Sequence, residues 1–161
     1  MRTILKLGIG TFWVLSVLAR PAAVEAATVV AMVNGGGTGD FVVTPNSVTT
    51  SGYTDFSVGA TLSDDGTAQG HFLCAIPAVV TISGNIVGGR RNADGSVTVW
   101  GLAHGYDHFL QSTFVNMPFT ATFREGRAGV GSFDYRDESG YFPVTQFDTE
   151  VVRRGMIRVI P

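Results

Sequence analysis

Apolar and polar side chains alternate along most of the chain, and this period of two constrains the fold more than any other feature. Residues 56–62 (FSVGATL) and 119–124 (FTATFR) show it most clearly. Successive side chains of a β-strand point to opposite faces, so this alternation predicts strands with one buried face. Turn sequences at 64–66 (DDG) and 92–95 (NADG) separate the runs. The pattern predicts strands at 28–33, 40–44, 53–63, 67–76, 78–87, 96–104, 118–125, 128–136 and 150–160.

Between residues 27 and 161 no segment shows a convincing helical stripe of apolar residues. Residues 105–117 and 137–149 are expected to be the longest connections, and the run 34–39 (NGGGTG) is expected to be a flexible turn. Many short strands joined by tight turns indicate an all-β, antiparallel fold. Glycines recur inside the predicted strands, which favours strongly coiled strands and barrel corners. We therefore predict a single antiparallel β-barrel, closed or partly open, with a two-sheet β-sandwich as the alternative.

The N-terminal 26 residues have the order of features found in secretory signal peptides. Arg2 and Lys6 precede an apolar run at 7–18, and small residues follow at 22–26. The apolar run is shorter than the roughly 20 residues that span a bilayer. We expect cleavage before Ala27, export to the periplasm or beyond, and a single all-β domain over 27–161 without a membrane span.

Charge and cysteine content limit the remaining function classes. Beyond residue 26 the eight basic residues are all Arg and twelve residues are acidic, a net charge of −4. Such a balance lacks the basic patch that nucleic acids or anionic lipids require, so no nucleic-acid partner is expected. The single cysteine, Cys74, cannot form an intramolecular disulfide, and its strand phase predicts burial.

Three histidines are the residues best suited to metal or acid–base chemistry. His71, His104 and His108, with Asp107, could supply neutral imidazoles and a carboxylate to zinc or copper. Their spacing matches no closed zinc signature, so no cofactor is predicted, and separate rim histidines are the alternative. His104, Asp107 and His108 are also the candidate catalytic acid–base residues. Carboxylates between 134 and 150 are mostly explained as solvated turn residues.

Aromatic residues in the predicted loops form the second group of candidates. Around a barrel mouth they could line an apolar ligand pocket, contact a protein partner, or plug the end of the core. The candidate pocket residues are Tyr106, Phe109, Phe114, Tyr141 and Phe142.

Three functions compete on these observations. The absence of a catalytic signature favours an exported non-enzymatic β-domain, a binding or interaction module for an apolar small molecule or a protein. A small barrel enzyme of the cyclase or isomerase type, with an apolar cavity, is the first alternative. A metal-binding exported protein that uses the histidines is the second.

Overall fold

The computed structural model describes residues 26–43, 50–141 and 149–161, and all regular elements in these ranges are strands. The predicted all-β fold is confirmed. The strands are β1 (Val29–Val43), β2 (Thr50–Ser63), β3 (Thr67–Ile76), β4 (Val80–Arg91), β5 (Val97–Asp107), β6 (Ser112–Arg124), β7 (Gly126–Arg127), β8 (Ser132–Asp137) and β9 (Glu150–Ile160).

The strands form one antiparallel sheet that closes into a ring. Each strand from β1 to β6 pairs with the next, β6 pairs with β8, and β8 pairs with β9. The ring closes where β9 pairs with β1, from Met32 opposite Ile160 to Asp40 opposite Val151. The two-residue β7 adds to β9 at Ile157 and Met156. The architecture agrees with the predicted single antiparallel barrel.

Two expectations about connections were wrong. The glycine run 34–39 is not a turn but the middle of β1, which pairs with both β2 and β9 there. A Cβ on Gly35 would come within 2.7 Å of the Met156 carbonyl oxygen, so the missing side chain lets β9 approach. Residues 105–117 are largely strand, because β5 continues to Asp107 and β6 begins at Ser112.

The alternating apolar residues fill the interior of the ring. Phe56, Val58, Ala60 and Leu62 are all buried, as the alternation predicts. The Phe72 ring is central, with the Phe119 and Tyr135 ring centroids each 5.8 Å away and the Phe123 centroid 5.7 Å away. Burial of one such aromatic side chain contributes about 1.5–3 kcal/mol. Cys74 is buried in the same core, as predicted.

The ring has two different ends. At one end, which we call the loop end, β1, β3, β5 and β8 finish and β2, β4, β6 and β9 begin. The opposite end carries the tight turns after β2, β4 and β6, together with the C-terminus. Within the described ranges, no helix is long and apolar enough to cross a membrane.

Candidate functional site

Two neighbouring turns at the loop end carry exposed large apolar side chains, among them Phe109, the most exposed of those in the described ranges. One turn joins β3 to β4 over 77–79, and the other joins β5 to β6 over 108–111. The backbone N–H of His108 donates to the Val79 carbonyl oxygen at 2.8 Å, which holds the two turns side by side.

Asp107 shapes the second of these turns. Its Oδ1 accepts hydrogen bonds from the backbone N–H groups of Phe109, at 2.9 Å, and Leu110, at 2.8 Å. Short acidic side chains commonly stabilise turns in this way. The Asp107 side chain is buried against the turn, and its contacts give it a structural role there.

The turn presents an apolar surface to solvent. Phe109 is 85% exposed, Leu110 is 60% exposed and Val79 is 48% exposed. We call these three residues the tip patch. Exposed apolar residues that lie together on a structured turn are typical of interaction surfaces.

The predicted pocket aromatics share the loop end but take different positions. Phe114 is buried, and its ring centroid lies 5.2 Å from that of Tyr141. The hydroxyl groups of Tyr141 and Ser112 are hydrogen-bonded at 2.9 Å. Phe114 and Tyr141 thus cover the end of the core, whereas Phe109 projects from the tip. Tyr106 faces outward from β5, and Phe142 lies outside the described residues.

His71 lies on the outer surface of β3 and His104 on that of β5, and His108 follows β5 in the turn 108–111. Nε2 of His71 is 3.2 Å from Ser83 Oγ, and Nε2 of His108 is 3.3 Å from Thr81 Oγ1. His104 is the register partner of Ser83 on β5. No group of three His, Cys, Asp or Glu side chains in the described ranges is arranged to hold a metal ion. The histidines are therefore placed near β4 hydroxyls rather than around a common centre.

Two buried carboxyl groups, those of Asp137 and Glu150, were missed by the sequence analysis. Glu150 begins β9 and is only 1% exposed, although the acidic residues nearby were mostly explained as solvated. Its Oε2 has no hydrogen-bond partner among the described residues. The inward phase of Glu150 and Val152 in β9 is the sequence signal that could have identified it.

Burial changes the acidity of Glu150. Loss of solvation raises the pKa of its carboxyl group to about 7, and the negative charge of Asp134 adds a smaller rise. The Thr54 hydroxyl offsets part of this rise, although the two groups lie outside hydrogen-bond geometry. Burial, followed by the charge of Glu150, also raises the pKa of the Cys74 thiol.

Glu150 lies in the pairing of β8 with β9, which has only two residue pairs. β8 and β9 pair at Ser132–Val151 and Phe133–Glu150, whereas β8 pairs with β6 along its whole length. On the outer surface beside the β8–β9 pairing is an open polar cleft of about 320 Å³. There Asp134 accepts a hydrogen bond from Thr149 Oγ1 at 2.5 Å and pairs with Arg124. The cleft is lined by Thr120, Thr122, Asp134, Tyr135, Arg136, Glu138 and Thr149.

Comparison with known proteins adds no relative. No family model matches the chain, and no curated protein or solved structure matches it.

Proposed function

We propose that the chain is an exported, non-enzymatic binding module that docks on a partner protein through the tip patch. The observation that carries this proposal is the 85% exposure of Phe109 on a turn that Asp107 holds in shape. Secretion through a cleaved signal peptide over residues 1–26 is part of the proposal and has its support in the sequence pattern alone.

The energetics of burial support a docking role for the tip. Covering an exposed Phe or Leu side chain contributes about 1.5–3 kcal/mol for each residue. Because the turn is already hydrogen-bonded, little ordering cost opposes this gain. Large aromatic anchors of this kind often dominate the binding energy of protein interfaces.

The surroundings of the tip favour a protein over a lipid surface. The segments 67–89 and 97–123, which form the tip and the strands below it, contain no Lys or Arg. Proteins that insert apolar side chains into anionic membranes usually add basic residues nearby. A partner protein with an apolar recess fits the tip patch better.

A binding comparison of three proteins tests this function. The double variant F109S/L110S removes most of the tip patch, and V130S removes a side chain that is 67% exposed in the turn at the opposite end. Each protein is immobilised and offered envelope extract from the exporting cell. We expect a protein that wild type and V130S retain and that F109S/L110S loses. The same set retained by all three would refute docking at the tip.

A second experiment distinguishes binding to a different protein from self-association through the tip patch. Sedimentation velocity of the wild-type protein and F109S/L110S, at several concentrations, shows whether the occupant of the tip is a second copy. We expect both proteins to sediment as the same species, because the proposed partner is a different protein. Tip-dependent dimers would overturn the choice of partner.

The histidine-based alternatives predict a different outcome for one double variant. His104 and His108 are exposed, and their described contacts leave the core intact when they are removed. We expect H104A/H108A to fold and to retain the tip partner as the wild-type protein does. A loss of metal content or of an enzymatic turnover in this variant would favour an alternative function.

A further inference from the structure

Most of the outer surface of β3, β4 and β5 differs from an ordinary solvated sheet face because it lacks formal charge, and the exposed Arg90 and Arg91 lie at its border, at the end of β4. Residues 67–89 and 97–106 contain no Asp, Glu, Lys or Arg. Solvent-facing surfaces normally carry charged residues at about a quarter to a third of their positions. We call the outward side of these two segments the neutral wall.

Aromatic side chains on the neutral wall stand in one row. Trp100, Leu102, His104 and Tyr106 occupy alternate positions of β5 and are all exposed. At about 3.3 Å per residue, Trp100 and Tyr106 are about 20 Å apart along the strand. Two aromatic side chains at this separation can contact a linear ligand several rings long.

The Trp100 side chain lies against the backbone of β4. Its register partner on β4 is Gly88, at a bulge in the pairing of the two strands. A Cβ on Gly88 would lie 2.7 Å from Trp100 Cζ2 and closer still to Nε1. The indole therefore lies against the glycine backbone, and the side chain remains 38% exposed. This arrangement gives a fixed aromatic platform.

Neutral hydrogen-bonding groups occupy the wall beside this row. Ser83 and Thr81 on β4 contact the imidazoles of His71 and His108. Asn85 is exposed two residues further along β4. Hydroxyl, amide and imidazole groups donate and accept hydrogen bonds without a net charge.

We propose that the neutral wall binds a neutral, linear oligosaccharide. Sugar rings have apolar C–H faces that stack on aromatic side chains, and their edges carry hydroxyl groups that pair with Asn, Ser and His. The wall itself offers no formal charge to a phosphate or carboxylate group, and Arg90 and Arg91 lie beyond it at the end of β4. This site is separate from the tip patch and does not depend on the proposed protein partner.

Trp100 also provides the assay. It is the only tryptophan outside residues 1–26, so the fluorescence of the secreted domain reports on this side chain alone. The probes are cellohexaose, laminarihexaose, maltohexaose and the fully N-acetylated chitohexaose, titrated in the millimolar range. We expect at least one of them to shift the Trp100 emission to shorter wavelength, with matching heat in isothermal titration calorimetry.

Matched variants locate the binding. Calorimetry should show W100A and Y106A weakened by about tenfold, the cost of deleting an aromatic anchor. W100F keeps a stacking ring and should retain most of the affinity. Y53A removes a tyrosine that is 45% exposed on β2, beyond the neutral wall, and should bind like the wild-type protein. F109S/L110S should also bind normally.

Three results would overturn the proposal. One is the absence of binding by all four hexasaccharides. Another is equal binding by the wild-type protein, W100A and Y106A, provided that circular dichroism shows all three folded. Loss of sugar binding in F109S/L110S would place the ligand at the tip instead of on the wall.

Discussion

Two buried carboxyl groups, those of Glu150 and Asp107, differ in their hydrogen-bond partners. Glu150 is buried with an unpartnered Oε2, whereas the Asp107 carboxylate accepts two backbone hydrogen bonds. Burial of a carboxyl group that lacks hydrogen-bond partners favours its protonated form. The two residues are therefore expected to respond differently to substitution.

The raised pKa of Glu150 predicts stability that falls as pH rises. The folded state holds a proton up to about pH 7, whereas the unfolded chain releases it near the ordinary value of 4.5. The full contribution is therefore present below pH 4.5 and is lost between there and pH 7, by roughly 3 kcal/mol. Urea unfolding at pH 5 and pH 8 should show E150Q losing less stability than the wild-type protein. The exposed control E138Q should follow the wild type, and identical pH dependence in E150Q would contradict the assignment.

Removal of the Asp107 carboxylate should loosen the tip without unfolding the ring. D107A leaves the amides of Phe109 and Leu110 without their acceptor, at a cost of about 1–2 kcal/mol. Hydrogen exchange at these two amides should accelerate. D107N keeps an oxygen acceptor and should lose less stability. Unchanged exchange in D107A would mean that other contacts hold the turn.

A strand requires glycine at a position where atoms of a neighbouring residue fill the space that a Cβ would occupy. Gly88 in β4 lies under the Trp100 indole, whereas the Cβ position of Gly59 in β2 has no atom within 4 Å. Both glycines belong to paired strands, so replacing either with Ala changes the backbone entropy of the unfolded chain similarly. A difference between the two variants therefore reports the steric overlap at Gly88. The comparison tests the seat of the indole directly.

Gly88→Ala should displace the Trp100 indole from the wall. The new methyl group would overlap the ring, so the indole must swing into water or the strands must separate. We expect a red shift in tryptophan emission and a loss of about 1–3 kcal/mol in the free energy of unfolding. G59A should leave emission unchanged. A matching spectrum for G88A and the wild-type protein would show that the indole does not rest on this glycine.

At the scale of the whole molecule, closure of the ring joins segments more than a hundred residues apart. β1 and β9 approach closely because glycines face each other, Gly37 being the register partner of Gly155. Gly155 has a φ of 93°, and a Cβ there would lie 2.9 Å from Gly37 Cα. Pairing of β1 with β9 covers the strand edges that these two strands would otherwise expose to a second chain.

Gly155→Ala should weaken this closure. The substitution combines a left-handed backbone conformation with overlap against β1, so it should cost more than the 1 kcal/mol or so of conformational strain alone. Gly129 is a matched control, because its φ is 79° and its Cβ position is open. Hydrogen exchange should accelerate in β1 and β9 of G155A and remain near wild type in G129A. Equal protection in both variants would argue against closure through this contact.

The sequence alone determined the β-class, most strands and the buried faces, because the period of two is a local property of each segment. Residues 67–76 and 150–160 are strands with the predicted bounds. The aromatic residues and histidines were recognisable from the sequence as candidate site residues. Which of them cover the end of the core, belong to the tip patch or lie on the neutral wall depends on the neighbouring strands. Tertiary structure alone decided that the glycine run 34–39 is strand, because these residues pair with both β2 and β9, and the β1–β9 contact joins distant segments that no local pattern relates. The phase of Glu150 in β9 points inward, but only the neighbouring strands decide how completely its carboxyl group is buried.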